Sequence, residues 1–314
     1  MKAIVLGIAS SFFFAFTFVL NRAMDLSGGS WLWSASLRYF FMVPLLLVLV
    51  WYRGNLAALF AEMRQKPLAW LVWSFVGFGL FYAPLTFAAT YSPAWLTAGT
   101  WQITIVAGSL LVPLFRDAAG RKQKIPVRGL WMSGIILLGV AVMQLHEVDA
   151  LSVWPMILGV LPVLIAAFAY PLGNRKMMEA CGGRLDAFQR TLGMTLASMP
   201  VWIMLATIGL IDTGLPSGGQ LFQSLLVALT AGVVATLLFF SATDLAKGDP
   251  HKLAAVEATQ AGEVVFAVLL EMVFLSAKLP SAVAISGMIL VIVGMVLHSM
   301  LGHRKARETS SQIC

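Results

Sequence analysis

Charge is what this sequence has least of. Only 11% of its 314 residues are Asp, Glu, Lys or Arg, about half the share of an ordinary soluble domain. With 60% hydrophobic residues and a mean hydropathy of +0.88, the chain reads as an all-α polytopic membrane protein. Cysteine is also scarce. Cys181 and Cys314 are too few for a disulfide framework. The four histidines, His146, His251, His298 and His303, do not share a helical face at metal-ligand spacing, so no metal site is expected. The sequence contains no His-Glu-x-x-His, no Gly-x-Ser-x-Gly elbow and no phosphate-binding Gly-Lys-Ser/Thr loop. No catalytic constellation and no cofactor are therefore expected. No segment is long enough for a soluble nucleotide-driven motor, so any energy source is an ion or solute gradient.

What is present is a series of apolar runs. Ten can be marked: Ala3–Leu20, Trp33–Trp51, Leu68–Ala89, Ala94–Phe115, Gly129–Leu145, Trp154–Leu172, Ala187–Ile208, Leu221–Thr243, Leu253–Phe274 and Ala282–Leu301. Each approaches the length of one bilayer crossing. The first run follows Lys2 and lacks a clear small-residue cleavage site, so it is expected to be a retained span. The net charge of +7 does not point to nucleic acid, because the cations are distributed among the loops. With the N-terminus inside, 17 of the 21 Lys and Arg fall in inside segments. Only Arg22 and Lys278 fall outside, and Arg38 and Arg190 sit within spans. This asymmetry predicts ten helices, both termini cytoplasmic, in the cell (plasma or inner) membrane.

The chain also resembles itself. Ala15–Met24 reads AFTFVLNRAM, and Ala167–Met177 reads AFAYPLGNRKM, with Gly173 inserted. Arg38 follows the first copy and Arg190 the second. Thr100-Trp101-Gln102 has a counterpart in Ala258-Thr259-Gln260. The offset is near 150 residues throughout, which predicts a duplication. The expected division is residues 1–145 as a first five-helix repeat, residues 154–301 as a second, and residues 302–314 as a cytoplasmic tail. Five spans per repeat is an odd number, so the second copy is expected upside down relative to the first. Inverted repeats recur in secondary transporters, whose equivalent halves can exchange inward-open and outward-open states.

The ninth run is the least lipid-like. It carries Glu257, Gln260, Glu263 and Glu271, within about one third of the helical circumference. A carboxylate at the bilayer centre costs about 2.5 to 3.5 kcal/mol on insertion scales. That sector is therefore expected to face protein or a wet cavity. Glu263, near mid-span, is the leading candidate for substrate binding or ion coupling; burial as a silent neutral acid is the alternative. Glu257 and Glu271 lie nearer the ends, where they can reach an interface. Gln260 and Gln102 could hydrogen-bond a solute or act as helix–helix glue. Trp101 could offer an aromatic face to a cation. Arg38 is either a snorkelling side chain or a counter-charge; Arg190 is read as snorkelling. Tyr82 and Tyr170 are read as packing aromatics. The glycines of spans five and ten predict close helix contact, within the chain or in a homodimer.

Three segments carry a family resemblance: Leu37-Arg38-Tyr39-Phe40, the Gly-Ile-Ile-Leu-Leu-Gly run at 134–139, and Gly-Glu-Val-Val-Phe-Ala at 262–267. With them the chain resembles the drug/metabolite transporter superfamily in its ten-helix, EamA-like form. The Thr-Trp-Gln and Ala-Thr-Gln-Ala-Gly-Glu segments look most like the branch labelled multidrug efflux. Val264 stands where the family has proline, Ser276-Ala277-Lys278 replaces an acidic Gly-Glu, and Thr104 and Ile105 supply no acid in the first half. The resemblance implies a central cavity lined by the first four helices of each repeat, with spans five and ten peripheral.

The expected function is secondary, alternating-access export of small organic solutes, cationic or amphipathic, with proton coupling through Glu263. The nearest rival is an exporter or facilitator of amino acids or related metabolites on the same fold. The rival of another class is a non-transporting membrane assembly protein. The implied partners are a small-molecule substrate, the lipid bilayer and a coupling proton.

Overall fold

The computed structural model describes residues 1–115, 122, 127–148, 153–246, 255–256 and 258–302. Among these the protein is helical throughout, with no strand. Five helices are long and apolar enough to cross a membrane: Lys2–Leu26, Trp31–Tyr52, Pro67–Ala88, Val153–Cys181 and Gly218–Thr243. A sixth is obtained if Ala187–Ala197 and Met199–Thr213, bent by 45°, count as one span.

The helices are α1 (Lys2–Leu26), α2 (Trp31–Tyr52), α3 (Leu56–Gln65), α4 (Pro67–Ser74), α5 (Leu80–Ala88), α6 (Ala94–Trp101), α7 (Ile103–Leu110), α8 (Val127–Val148), α9 (Val153–Cys181), α10 (Ala187–Ala197), α11 (Met199–Thr213), α12 (Gly218–Val227), α13 (Ala235–Leu245), α14 (Gly262–Leu275) and α15 (Ala282–Gly302). Several expected runs are thus broken into pieces. The run at 94–115 divides at Gln102 into α6 and α7. The ninth run has a 3-10 turn at Thr259–Ala261 before α14, so its described part is not one continuous α-helix. The third and eighth runs widen into π turns at Phe75–Gly79 and Ala228–Val234.

Local chemistry accounts for many of these boundaries. The Ser30 hydroxyl accepts from the Leu32 amide and starts α2. Asp186 and Gln189 form a reciprocal capping box that starts α10. Pro200 lies in the first turn of α11, where the missing N–H does least harm. The bend between α10 and α11 falls just before it.

Packing brings α1 against α13 and α14, α5 against α9, and α2 against α10, α11 and α12. The pair α8 and α15 makes the most extensive helix contact in the fold. Glycine is required there: a Cβ on Gly139 would lie 2.7 Å from the Gly287 carbonyl oxygen. The glycine faces of α8 and α15 therefore meet each other inside the chain. Gly173, the inserted residue of the second copy, is equally constrained. A Cβ on it would collide with the Gly77 backbone nitrogen, so α9 and the first π turn touch backbone to backbone. The core behind these contacts is aromatic. Tyr39 stacks on Trp202 at 4.1 Å with planes 8° apart, and the Trp202 indole donates to the Ser198 hydroxyl at 2.8 Å.

Candidate functional site

A cavity of about 420 Å³ lies within the bundle, a size that suits a small organic molecule. Its walls come from α1, α2, α5, α6, α7, α9, α10, α13, α14, α15, the two π turns and the 3-10 turn. Five of the six residues singled out from the sequence line it: Glu263, Gln260, Gln102, Trp101 and Arg38. The sixth, Glu257, lies outside the described residues.

Glu263 sits in the first turn of α14 and is 6% exposed. The Gln102 side chain lies beside the Glu263 carboxyl, and its amide donates to the Ala98 carbonyl one turn back, at 3.1 Å. The break between α6 and α7 falls at Gln102, and the 3-10 turn carries Gln260. The Gln260 amide reaches the Thr259 hydroxyl at 3.3 Å and the Gly7 carbonyl at 3.4 Å. Both amides are thus helix contacts and cavity wall at once. Trp101 forms an aromatic trio with Phe81 at 5.1 Å and Tyr170 at 5.6 Å, closed by Phe81–Tyr170 at 4.8 Å.

Arg38 is not a snorkelling side chain in this fold. It is 7% exposed, with its guanidinium carbon 4.0 Å from the centre of the Tyr82 ring. Arg190 also lines the cavity, because the first turn of α10 faces it. Sequence reasoning passed over further wall residues, notably Phe81, Arg175 and His298. The repeated Asn-Arg pair was the available signal for Arg175. Tyr170, read as packing, is both packing and wall. His298 belongs to α15, so the last helix is not wholly peripheral; its imidazole lies 3.4 Å from the Ser109 hydroxyl.

Glu271 does something different from the other polar groups of its segment. It does not line the cavity, and it is buried. Its two carboxylate oxygens accept from the Ala94 and Trp95 amides at 3.0 and 3.1 Å. It therefore caps α6, whose own flanking residue, Pro93, offers no side-chain acceptor. The same end of the bundle is tied by Arg22, which donates to the Ala89 and Thr90 carbonyls and pairs with Asp25. The Trp33 indole adds a bond to the Gly214 carbonyl at 2.9 Å. The cavity instead runs towards the opposite end, where α7, α9 and α15 finish and α10 begins, past Ser109, Arg175, Arg190 and His298.

Apolar spans enclosing a cavity with buried polar walls define a membrane protein of the solute-handling kind. Residues 1–304 match the family model EmrE, described as "Putative multidrug resistance efflux transporter", and the chain belongs to this family. It is 56% identical over 319 residues to the uncharacterized protein YjlA of Bacillus subtilis, covering 99% of this chain and 98% of that one. It is 52% identical over 267 residues to an uncharacterized 42.1 kDa protein of Shouchella clausii, covering 84% of this chain and 70% of that one. A protein of known crystal structure aligns over 97% of this chain and 98% of its own, with a TM-score of 0.64 at 15% identity. At that identity the likeness concerns the fold alone. Among the described residues no group of three His, Cys, Asp or Glu could hold a metal.

Proposed function

We propose that this protein is a secondary active transporter that exports small organic solutes by alternating access, with Glu263 as the coupling and binding acid. The observation that carries the proposal is the placement of Glu263 in the cavity wall, beside the Gln102 amide of another helix. A membrane carboxylate costs too much to bury without a purpose, and here it borders a space large enough for a solute. Proton coupling fits a carboxyl that alternates between a dry, protonated state and a wet, ionised one.

The proposal includes ten spans arranged as inverted repeats, residues 1–145 and 154–301, with both termini cytoplasmic. Reciprocal packing supports this. The contact of α5 with α9 is the counterpart of α13 with α1, and α7 with α9 is the counterpart of α14 with α1. The π turns fall at equivalent places in the two halves. In that orientation the tied end is external and the cavity runs towards the cytoplasm, as loading for export requires. The cell membrane is the proposed location. A homodimer through the outward faces of α8 and α15, which carry Leu138 and Ile289, is part of the proposal, with lipid as the competing partner of those faces.

The test is flux in reconstituted vesicles under an imposed pH gradient. Glu263→Gln should lower gradient-driven flux at least about tenfold, the loss expected for a proton carrier made unable to ionise. Unchanged gradient-driven flux would remove Glu263 from the coupling role. Equal solute flux in empty and protein-loaded vesicles would sink the transporter reading itself.

A further inference from the structure

Arg38 is a buried cation with hydrogen-bonding capacity left unused. Its Nε and Nη1 atoms are buried without a hydrogen-bond partner, and among the described residues it forms no ion pair. Tyr82 faces the guanidinium at 4.0 Å. A ring engages the flat face of a guanidinium, whereas its N–H groups radiate in the plane. The contact with Tyr82 therefore holds the group in place and leaves those donors unspent. Tyr39, which follows Arg38, is fixed by its stack on Trp202, so the position is rigid. Across the same cavity stand Glu263 and the Phe81–Trp101–Tyr170 rings. Tyr170 lies within electrostatic reach of both Glu263 and Arg38.

We infer that Arg38 docks a carboxylate of the solute, and that the cavity takes an aromatic or amphipathic zwitterion whose amine lies against Glu263 and the aromatic trio. This rests on the reading of the cavity as the solute site. A buried guanidinium without a partner anion is costly, and a carboxylate supplies charge-assisted hydrogen bonds in a setting of low dielectric. A purely cationic solute would use the Glu263 side and leave Arg38 as it is.

The experiment is binding to the purified full-length protein in chloride-free buffer, with phenylalanine, phenethylamine and 3-phenylpropionate as probes. Wild-type protein should hold phenylalanine about tenfold or more tighter than phenethylamine, the scale of one well-placed charged contact. Arg38→Gln should erase that preference while leaving phenethylamine binding unchanged, and Arg38→Lys should restore part of it. Equal binding of the two probes, or no binding of phenylalanine, overturns the inference. So does a parallel loss of both probes in Arg38→Gln, which would mark a structural role. Phenethylamine binding raised by added chloride as much as by the tethered carboxylate would assign Arg38 to an inorganic anion and also overturn it. Counterflow of phenylalanine in vesicles separates the two proposals. The binding pattern without uptake would leave Arg38 as the docking point and sink the transport reading instead.

Discussion

Two glutamates eight residues apart on one helix have almost the same burial, 6% exposed at Glu263 and 4% at Glu271, and opposite surroundings. Glu271 is saturated by two backbone amides that belong to the start of α6. Glu263 borders the cavity with a side-chain amide beside it. A backbone amide at a helix start cannot turn away, but a glutamine can. Burial alone therefore does not separate a structural acid from an adaptable one; the identity of the donor does.

The comparison is broken most directly by stability. Glu271→Ala should destabilise the protein by about 2–3 kcal/mol, because two charge-assisted hydrogen bonds are lost and the first turn of α6 is left uncapped. Glu263→Gln should cost less than about 1 kcal/mol, because the cavity can rehydrate the site. Denaturation in detergent measures both. Equal losses would erase the distinction between the two acids.

A third carboxylate sharpens it. Glu62, on α3 between the second and third spans, is held in a fork by Arg184, at 2.8 and 2.6 Å. Those hydrogen bonds keep the Glu62 carboxyl below the usual carboxylate range, against the opposing pull of burial. A depressed folded-state pKa contributes stability that is present above the ordinary carboxylate value and is lost as pH falls through the folded one. The stability difference between wild type and Arg184→Gln should therefore exist at neutral pH and vanish in acid. A difference that persists at acidic pH would show that the fork acts by packing rather than by charge.

The smallest effect concerns the end of the same helix. Ser276 closes α14 in the left-handed region, φ 51°, directing a backbone amide to the Glu271 carbonyl. Ser276→Gly should raise stability by about 0.5–1 kcal/mol, since glycine adopts that conformation without Cβ strain. A lower melting temperature for this variant would show that the hydroxyl matters more than the backbone.

How much of this was legible depends on the kind of signal. Helix content, the polar sector of the ninth run and five of the six candidate wall residues could be read from hydropathy, because a membrane makes each buried charge conspicuous. The role of Glu271 could not. It depends on an amide pair 176 and 177 residues away in the chain, and nothing at Pro93-Ala94 announces an uncapped helix start in need of an acid. Arg190 was read as snorkelling because depth along a helix was counted without knowing which way the helix faces, and the same count left Arg38 open between two readings. The breaks at Gln102 and Thr259–Ala261 were not read either, because a lone amide inside a span-length run marks a polar contact as readily as an interruption of the helix. The two wide turns were hidden because their residues differ little in character from their neighbours.

Those wide turns have a mechanical meaning. Each carries one residue more per hydrogen-bonded ring than regular winding does. Phe78 projects from one of them and Ala231 and Gly232 from the other, all into the cavity wall. Regular winding at either place would release a single residue of slack, turning everything beyond it by about 100° and advancing it by about 1.5 Å. Such a change would shift two parts of the cavity wall in discrete steps, with no helix unravelled.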